Sequence, residues 1–380
     1  MSTIKMVDLE GQYLKIKSKI DQAIQDVLHS TAFIQGPQVH QFADSLKKYT
    51  GASYVITCGN GTDALQIAMM AMDLKPGDEI ILPVHTYVAT AEVIALLGLT
   101  PVFAEVDPDT FNLDVTLVEG KITNKTKCIV PVHLYGQCVD MEPLLTIAKK
   151  HNLYIVEDAA QAIGATYTFS DGSKKQAGTM GTIGTTSFFP SKNLGCYGDG
   201  GALFTNDESL AAKIKMIANH GQKKKYHHDC IGVNSRLDTI QAAILNVKLN
   251  YLNDYSAARN AVANFYDEQL SGISGLKIPV RASNSTHVFH QYTLQVLNGK
   301  RDALQKHLEA NGIPTMIYYP VPLHLQSAYF QESTPKGSFP ITENLSHVVL
   351  SLPIHTEMEK VHLMYICDSI KAFFQHDTTN

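Results

Sequence analysis

The sequence lacks any metal-binding or disulfide pattern. Its six cysteines, Cys58, Cys128, Cys138, Cys196, Cys230 and Cys367, are scattered without a CxxC or CxxH pair, and the 16 histidines are not placed to complete a zinc set. Free thiols in a reducing compartment are the expectation, with no metal. Basic charge is also short: 31 Lys and Arg stand against 36 Asp and Glu, a net charge of −5, which offers no surface for a nucleic acid. No apolar run approaches the roughly 20 residues that span a bilayer, and MSTIKMVDLEGQYLK does not place an apolar segment after basic residues. A cytoplasmic protein with no membrane partner is expected. With 25 Gly and 15 Pro, collagen-like and low-complexity classes are excluded as well.

What is present is enough chain for a large core. The 380 residues, 44% of them hydrophobic, suggest one large domain and a smaller one. Apolar positions recur at helical period over 14–30 and 37–49, with Pro37 at a helix start. Helices and apolar strands then alternate: a helix over 61–73, a strand over 79–83, a helix over 87–97, strands over 101–106 and 127–134, a helix over 140–150 and a strand over 153–158. Such strands belong to a mostly parallel sheet covered on both faces, so an α/β fold is expected for a large domain over 1–250. Residues 166–185 interrupt the alternation before two short strands around a Gly-rich turn. One long helix is expected over 236–270. A smaller α+β domain is expected over 251–380, with an edge strand near 291–297 and helices near 301–311 and 356–374.

Three segments carry chemistry, and open α/β sheets gather ligands at the carboxyl ends of their strands. In CGNGTDAL, Gly59 and Gly61 allow a tight turn before a helix whose first N–H groups, with Thr62, suit a phosphate. A plain βα turn would look the same. In VEDAAQAIGA, alternation sends Glu157 and Asp158 to opposite faces. Asp158 either caps the next helix or pairs with a buried cation such as a protonated ring nitrogen, with Gln161 one turn further on. In TTSFFPSKNLGCYGDGGAL, Lys192 sits between an aromatic-rich strand and a glycine cluster, beside Ser187, Ser191 and Asn193. A lysine of lowered pKa forms a Schiff base with an aldehyde. A phosphate cradle, a carboxylate for a pyridinium nitrogen and a lysine for an aldehyde together are what pyridoxal 5'-phosphate requires.

The chain resembles the DegT/DnrJ/EryC1/StrS sugar aminotransferase family of fold-type I pyridoxal-phosphate enzymes. The resemblance rests on GNGTDALQIA, LPVHTYVATAE, PVHLYGQ, VEDAAQAIGA, SFFPSKNLGCYGDGGALFTND and GVNSRLDTIQAAIL, in that order. It implies an aspartate aminotransferase-like fold with a mostly parallel seven-stranded sheet. It also implies that Lys192 carries the cofactor and shuttles a proton, that Asp158 holds the pyridine nitrogen protonated, that Gln161 faces the phenolic oxygen and that Tyr87 stacks on the ring. Gly61, Thr62 and Ser187 would bind the phosphate, joined by Asn234 from a neighbouring subunit, which implies a homodimer with shared active sites. L-glutamate would be the amino donor.

Within the family, SFFPSKNLGCYGDGG and HGQKKKYHH most resemble the subgroup aminating C3 of UDP-linked 2-acetamido-3-keto sugars and their uronic acids. Lys223–Lys225 and Tyr226 would meet a diphosphate or form a solvated turn. Arg236 and Arg259 are candidates for anionic parts of the substrate, a surface ion pair being the alternative for Arg259. His290 and Tyr318 are candidates for the sugar site. Where uronate-using relatives read HYP, this chain has Tyr318, Tyr319 and Pro320, and a tyrosine carries no cation at neutral pH. A dTDP-linked 3-keto-6-deoxyhexose or a nucleotide-linked 4-keto-sugar therefore stays open as substrate. Lys192 argues against a 3-dehydratase, whose branch has histidine there. Cys196 reads as structural rather than as a desulfurase nucleophile. The destination of the amino sugar, including lipopolysaccharide O-antigen, is not chosen by the chain.

Overall fold

The computed structural model describes residues 3–376; the outer ends of the two expected domains, 1–2 and 377–380, lie outside the described residues. Helices α1 (Leu9–Ser30) and α2 (Pro37–Thr50) precede strand β1 (Tyr54–Cys58). The alternation that follows is α3 (Gly61–Ala71), β2 (Glu79–Pro83), α4 (Ala89–Leu96), β3 (Thr100–Ala104), β4 (Thr126–Ile129), α5 (Met141–His151) and β5 (Tyr154–Asp158). A hairpin of β6 (Thr166–Thr168) and β7 (Lys174–Gln176) leads to β8 (Ile183–Ser187), β9 (Gly201–Thr205) and α6 (Glu208–Ile217). The seven-stranded sheet has the order β1-β9-β8-β5-β4-β2-β3. Every pair from β8 to β3 is parallel, and only β9 runs against its two neighbours. A mostly parallel seven-stranded sheet is thus present, as the resemblance implies.

Strand alternation divides the core. Ile80, Leu82, Cys128 and Val156 pack under α3 and α4, while Ile81, Ile129 and Ile155 pack on the opposite face with α5. That alternation continues to the end of β5. It sends Asp158 toward the α3 and α4 side and Glu157 to the other.

Three sequence expectations need correction. The strand expected over 127–134 ends at Ile129, because Pro131 has no N–H for the ladder; the chain instead makes an isolated parallel bridge from Val132 to Asp158. The single helix expected over 236–270 is two, α7 (Thr239–Leu249) and α8 (Leu252–Leu270). The break falls at Asn250, whose amide donates to the Asn246 and Val247 carbonyls at 2.8 and 3.2 Å and so satisfies the last turn of α7. After a hairpin of β10 (Gln222–Lys224) and β11 (His227–His228), the last sheet consists of β12 (Leu276–Lys277), β13 (Tyr292–Val296) and β14 (Val349–Leu352). β13 is its middle strand, not an edge, because β14 pairs along its other side. Helices α9 (Arg301–Ala310), α10 (Pro340–Val348) and α11 (Lys360–His376) accompany this sheet. Its core is drawn from α8, α9, β13, β14 and α11, and Ile4 from near the amino terminus joins it.

Candidate active site

The site forms where β5, β8 and the start of α3 end side by side. Asn60 caps α3 by accepting from the Asp63 N–H at 2.8 Å, and its carbonyl accepts from the Ala64 N–H at 3.1 Å. The N–H groups of Gly61 and Thr62 thus remain without an intrahelical partner. A Cβ on Gly61 would lie 2.7 Å from Ser187 Cβ, so glycine is what lets this helix start approach the end of β8. The result is a cradle of two N–H groups and two hydroxyls, Thr62 and Ser187, at a positive helix end. Ser235 ties a second segment to it: its hydroxyl accepts from the Gly59 N–H at 2.9 Å and donates to Asp63 at 2.6 Å. Arg236 follows Ser235, with its carbonyl 3.8 Å from where a Cβ on Gly59 would sit, and is half-buried; Asn234 precedes Ser235 and is exposed.

Lys192 lies in the turn from β8 to β9. Its N–H donates to the Phe189 carbonyl and the Cys196 N–H to the Phe188 carbonyl, both at 2.8 Å. A Cβ on Gly195 would meet the Pro190 carbonyl at 2.2 Å, so this return is open to glycine alone. Cys196 is structural, with its buried thiol donating to the Phe188 and Gly198 carbonyls. Burial lowers the Lys192 ammonium to about 8, and the Asp158 carboxylate pulls weakly the other way. Asp158 is buried, accepting from the Thr90 hydroxyl at 2.9 Å and from the Ala160 N–H at 3.1 Å. No helix follows β5, so the helix-capping alternative for Asp158 falls away: its carboxylate closes the turn at Ala160, and its charge acts on Lys192.

Gln161 accepts from the Tyr135 N–H at 2.7 Å and donates to the Tyr319 hydroxyl at 3.3 Å. Tyr87 is exposed above this group, its ring 6.2 Å from that of Tyr319. The Tyr135 hydroxyl donates to the Tyr318 carbonyl, which leaves the hydroxyl oxygen to accept from His85 Nε2 at 3.3 Å. Burial holds His85 at about 4, so it is neutral. His290 is buried with its Nδ1 unpartnered, and burial together with Lys192 and Arg259 keeps it well below the usual histidine range. The half-buried Tyr318 is held by Gln291.

The structure brings Lys192, Asp158, Gln161, Gly61, Thr62, Ser187, Tyr87, His290 and Tyr318 into one region. It does not bring Tyr226 there: that side chain is 79% exposed on the β10–β11 hairpin, under Lys225. Arg259 is a correction. It is buried in α8, its Nη1 donating to the Phe289 and Ile354 carbonyls at 3.0 Å and to the His290 carbonyl at 3.4 Å, so it is neither a surface ion pair nor open to a substrate. Sequence reasoning missed Thr90, His85, Tyr135 and Tyr319. The first two lie in HTYVATAE and Tyr135 in PVHLYGQ, so the motifs marked them, but nothing in the spacing says which side chains turn inward.

The donor set fits pyridoxal 5'-phosphate by chemistry: a desolvated amine, a buried carboxylate whose charge acts on Lys192, and an anion cradle. Residues 14–371 match the model of the DegT/DnrJ/EryC1/StrS aminotransferase family. The chain belongs to that family. A UDP-2-acetamido-2-deoxy-3-oxo-D-glucuronate aminotransferase of Pseudomonas aeruginosa is 47% identical over 97% of this chain and 99% of its own. A UDP-N-acetyl-3-dehydro-alpha-D-glucosamine 3-aminotransferase of Acidithiobacillus ferrooxidans is 39% identical over 97% and 98%. Among solved structures, Streptomyces venezuelae DesV in complex with a ketimine intermediate superposes with a TM-score of 0.94 at 39% identity, covering 98% of this chain and 99% of that one. NtdA of Bacillus subtilis, with bound cofactor PMP, gives 0.90 at 29% identity, covering 99% and 86%. Among the described residues of the aminotransferase no helix is long and apolar enough to cross a membrane, and no side-chain group is placed to hold a metal ion.

Proposed function

We propose that the aminotransferase moves an amino group from L-glutamate to C3 of a UDP-linked 2-acetamido-3-keto-hexose or its uronic acid. The observation that carries this reading is the end-to-end likeness to a UDP-2-acetamido-2-deoxy-3-oxo-D-glucuronate aminotransferase in a chain that also sets a desolvated lysine beside a buried carboxylate. A dTDP-linked 3-keto sugar is the second reading, favoured by the superposition on DesV and by a 40% identical dTDP-3-amino-3,4,6-trideoxy-alpha-D-glucose transaminase. The cofactor is pyridoxal 5'-phosphate, which when bound supplies the electron sink that lets a substrate proton leave and an amino group change carriers.

The protein's own groups have separable tasks. Lys192 Nζ, its pKa lowered by burial to about 8, accepts and returns the proton. Asp158, held by Thr90 and Ala160, faces the ring nitrogen. Gly61, Thr62 and Ser187 bind the phosphate, Tyr87 covers the ring and Gln161 meets the phenolic oxygen. Asn234, exposed on this chain, serves the same phosphate in a second copy, so the active unit is a homodimer. Arg236 and the hairpin lysines meet the diphosphate, while His290 and Tyr318 meet the sugar. His290 and Tyr318 offer hydrogen bonds without positive charge, which supports the neutral sugar beside the uronate. The same reading assigns 1–250 and 251–380 to a large and a small domain, places the protein in the cytoplasm and makes its product an amino sugar for a glycan such as lipopolysaccharide O-antigen.

The test is the visible spectrum of the reconstituted protein. A band near about 410–430 nm should fall toward about 330 nm with L-glutamate and return with the UDP-linked 3-keto sugar. Return with a dTDP- or GDP-linked sugar alone would replace the substrate; absence of the band would remove Lys192 from its role.

A further inference from the structure

Glu157 has no task in this reading, yet it is buried completely next to Asp158. Its carboxylate lies on the opposite face of the sheet and takes four donors. Oε1 accepts from the N–H groups of Met180 at 2.6 Å and Gly181 at 2.5 Å, and Oε2 from the Gly178 N–H at 2.8 Å and from His133 Nε2 at 2.9 Å. His133 is buried completely as well, and its Nδ1 accepts from the Val139 N–H at 3.1 Å. That bond assigns the tautomer, so Nε2 carries the hydrogen given to Glu157. A fully hydrogen-bonded carboxylate of this kind costs much to bury and fixes whatever it is attached to.

What it is attached to is the backbone of Asp158. The Asp158 carbonyl accepts from the His133 N–H at 3.0 Å and its N–H donates to the Pro131 carbonyl at 2.9 Å. On the other side, Thr185 donates its hydroxyl to the Glu157 carbonyl at 3.1 Å and its carbonyl accepts from Ala159. His133 therefore grips the strand end twice, its main chain holding Asp158 and its ring holding Glu157. Two residues on, the Tyr135 N–H fixes Gln161. With the ladder of β4 ended at Ile129, these bonds are what set the angle at which β5 presents its last carboxylate.

We infer that His133 and Glu157 are positioning residues that aim the Asp158 carboxylate from behind the sheet, an inference that rests on the cofactor reading of Asp158 and Lys192. Neither side chain reaches the site, both lying on the opposite face of the sheet. A small rotation of the strand end weakens the bond from Asp158 to a ring nitrogen while leaving the cradle and the donor's binding groups in place.

The experiment compares two substitutions of His133 in the reconstituted holoenzyme. Glutamine places an amide N–H where Nε2 was and keeps the bond to Glu157; asparagine replaces Nδ1 and loses it. The readouts are the pH midpoint of the visible band and the rate of the glutamate half-reaction. H133N is expected to move the midpoint by about one pH unit and to lower kcat about tenfold at unchanged KM for glutamate. H133Q is expected to stay within about twofold of wild type. On a D158N background, H133N should add nothing to either readout, because its effect passes through Asp158. If H133N does not accumulate folded, E157Q takes its place, since its amide nitrogen opposes the donors that the carboxylate accepted. Equal effects of the two His133 variants, or additivity with D158N, overturn the inference alone. A wild-type protein that forms no visible band overturns the cofactor reading and this inference with it.

Discussion

The surroundings of Lys192 and the strip from Lys223 to Asn234 are built on opposite terms. Around Lys192 the chain supplies its own partners: Asp158 is held by Thr90 and Ala160, Gln161 by Tyr135, and Asn193 ties the lysine turn to the Val288 carbonyl at 2.8 Å. Along the strip, Lys223, Lys224, Lys225, Tyr226 and Asn234 are exposed, and Ile231 is 86% exposed. Groups that must hold a proton at an altered pKa need desolvation, which only the packed interior of one chain provides. Groups that meet a large polar substrate or a second subunit stay outside until that partner arrives, which fits the proposed homodimer and nucleotide sugar.

The comparison breaks first at Lys192. Lys192→Ala should remove turnover by at least about 1000-fold while the far-UV circular dichroism of the apoprotein is unchanged; residual transamination near wild type would show that the interior does not hold the chemistry. The same lysine sets a pH dependence. Its lowered pKa of about 8 means the amine is mostly charged below that pH and mostly neutral above it, so cofactor capture by the apoprotein should accelerate up to about pH 8 and level off beyond. Capture still rising tenfold per unit to pH 10 would mean that the amine is not desolvated.

The strip answers in smaller steps. Asn234→Ala should weaken cofactor retention about tenfold, the loss of one good hydrogen bond to a charged group, and the loss should deepen as the protein is diluted below its dimerisation range. Dialysis at two protein concentrations checks it, and a concentration-independent loss would place Asn234 in its own subunit's site. Replacing Lys223, Lys224 and Lys225 together with alanine should raise KM for the nucleotide sugar only a few-fold, leave kcat alone and matter less in high salt, since exposed charges are screened over about 10 Å. A fall in kcat instead would join the hairpin to the buried machinery.

The α/β alternation was legible because strands buried on both faces read as apolar runs such as Ile80–Leu82 and Val156. The mistakes fall where one residue overrides a pattern. The helical period runs on through Asn250, but its amide closes α7. Pro131 sits inside an apolar run and ends β4. VLSL at 349–352 follows α10 directly, with no turn residue to announce a strand, so β13 looked like an edge. Arg259 looked like an anion site because a sequence does not distinguish an arginine that meets a substrate from one that holds three carbonyls.

By itself the sequence determined the alternation of helices and strands up to β5 and the family through six ordered motifs, and it singled out Lys192, Asp158 and Gln161 as site candidates, because periodicity and motif spacing are local properties of the chain. Only the tertiary structure decided which side chains meet. It put Thr90 of α4 on Asp158, hid His133 and Glu157 behind the same strand, neutralised His85 and His290 and closed Arg259 off. These outcomes depend on burial and on contacts between segments far apart in sequence, and both arise when the sheet closes between its helices.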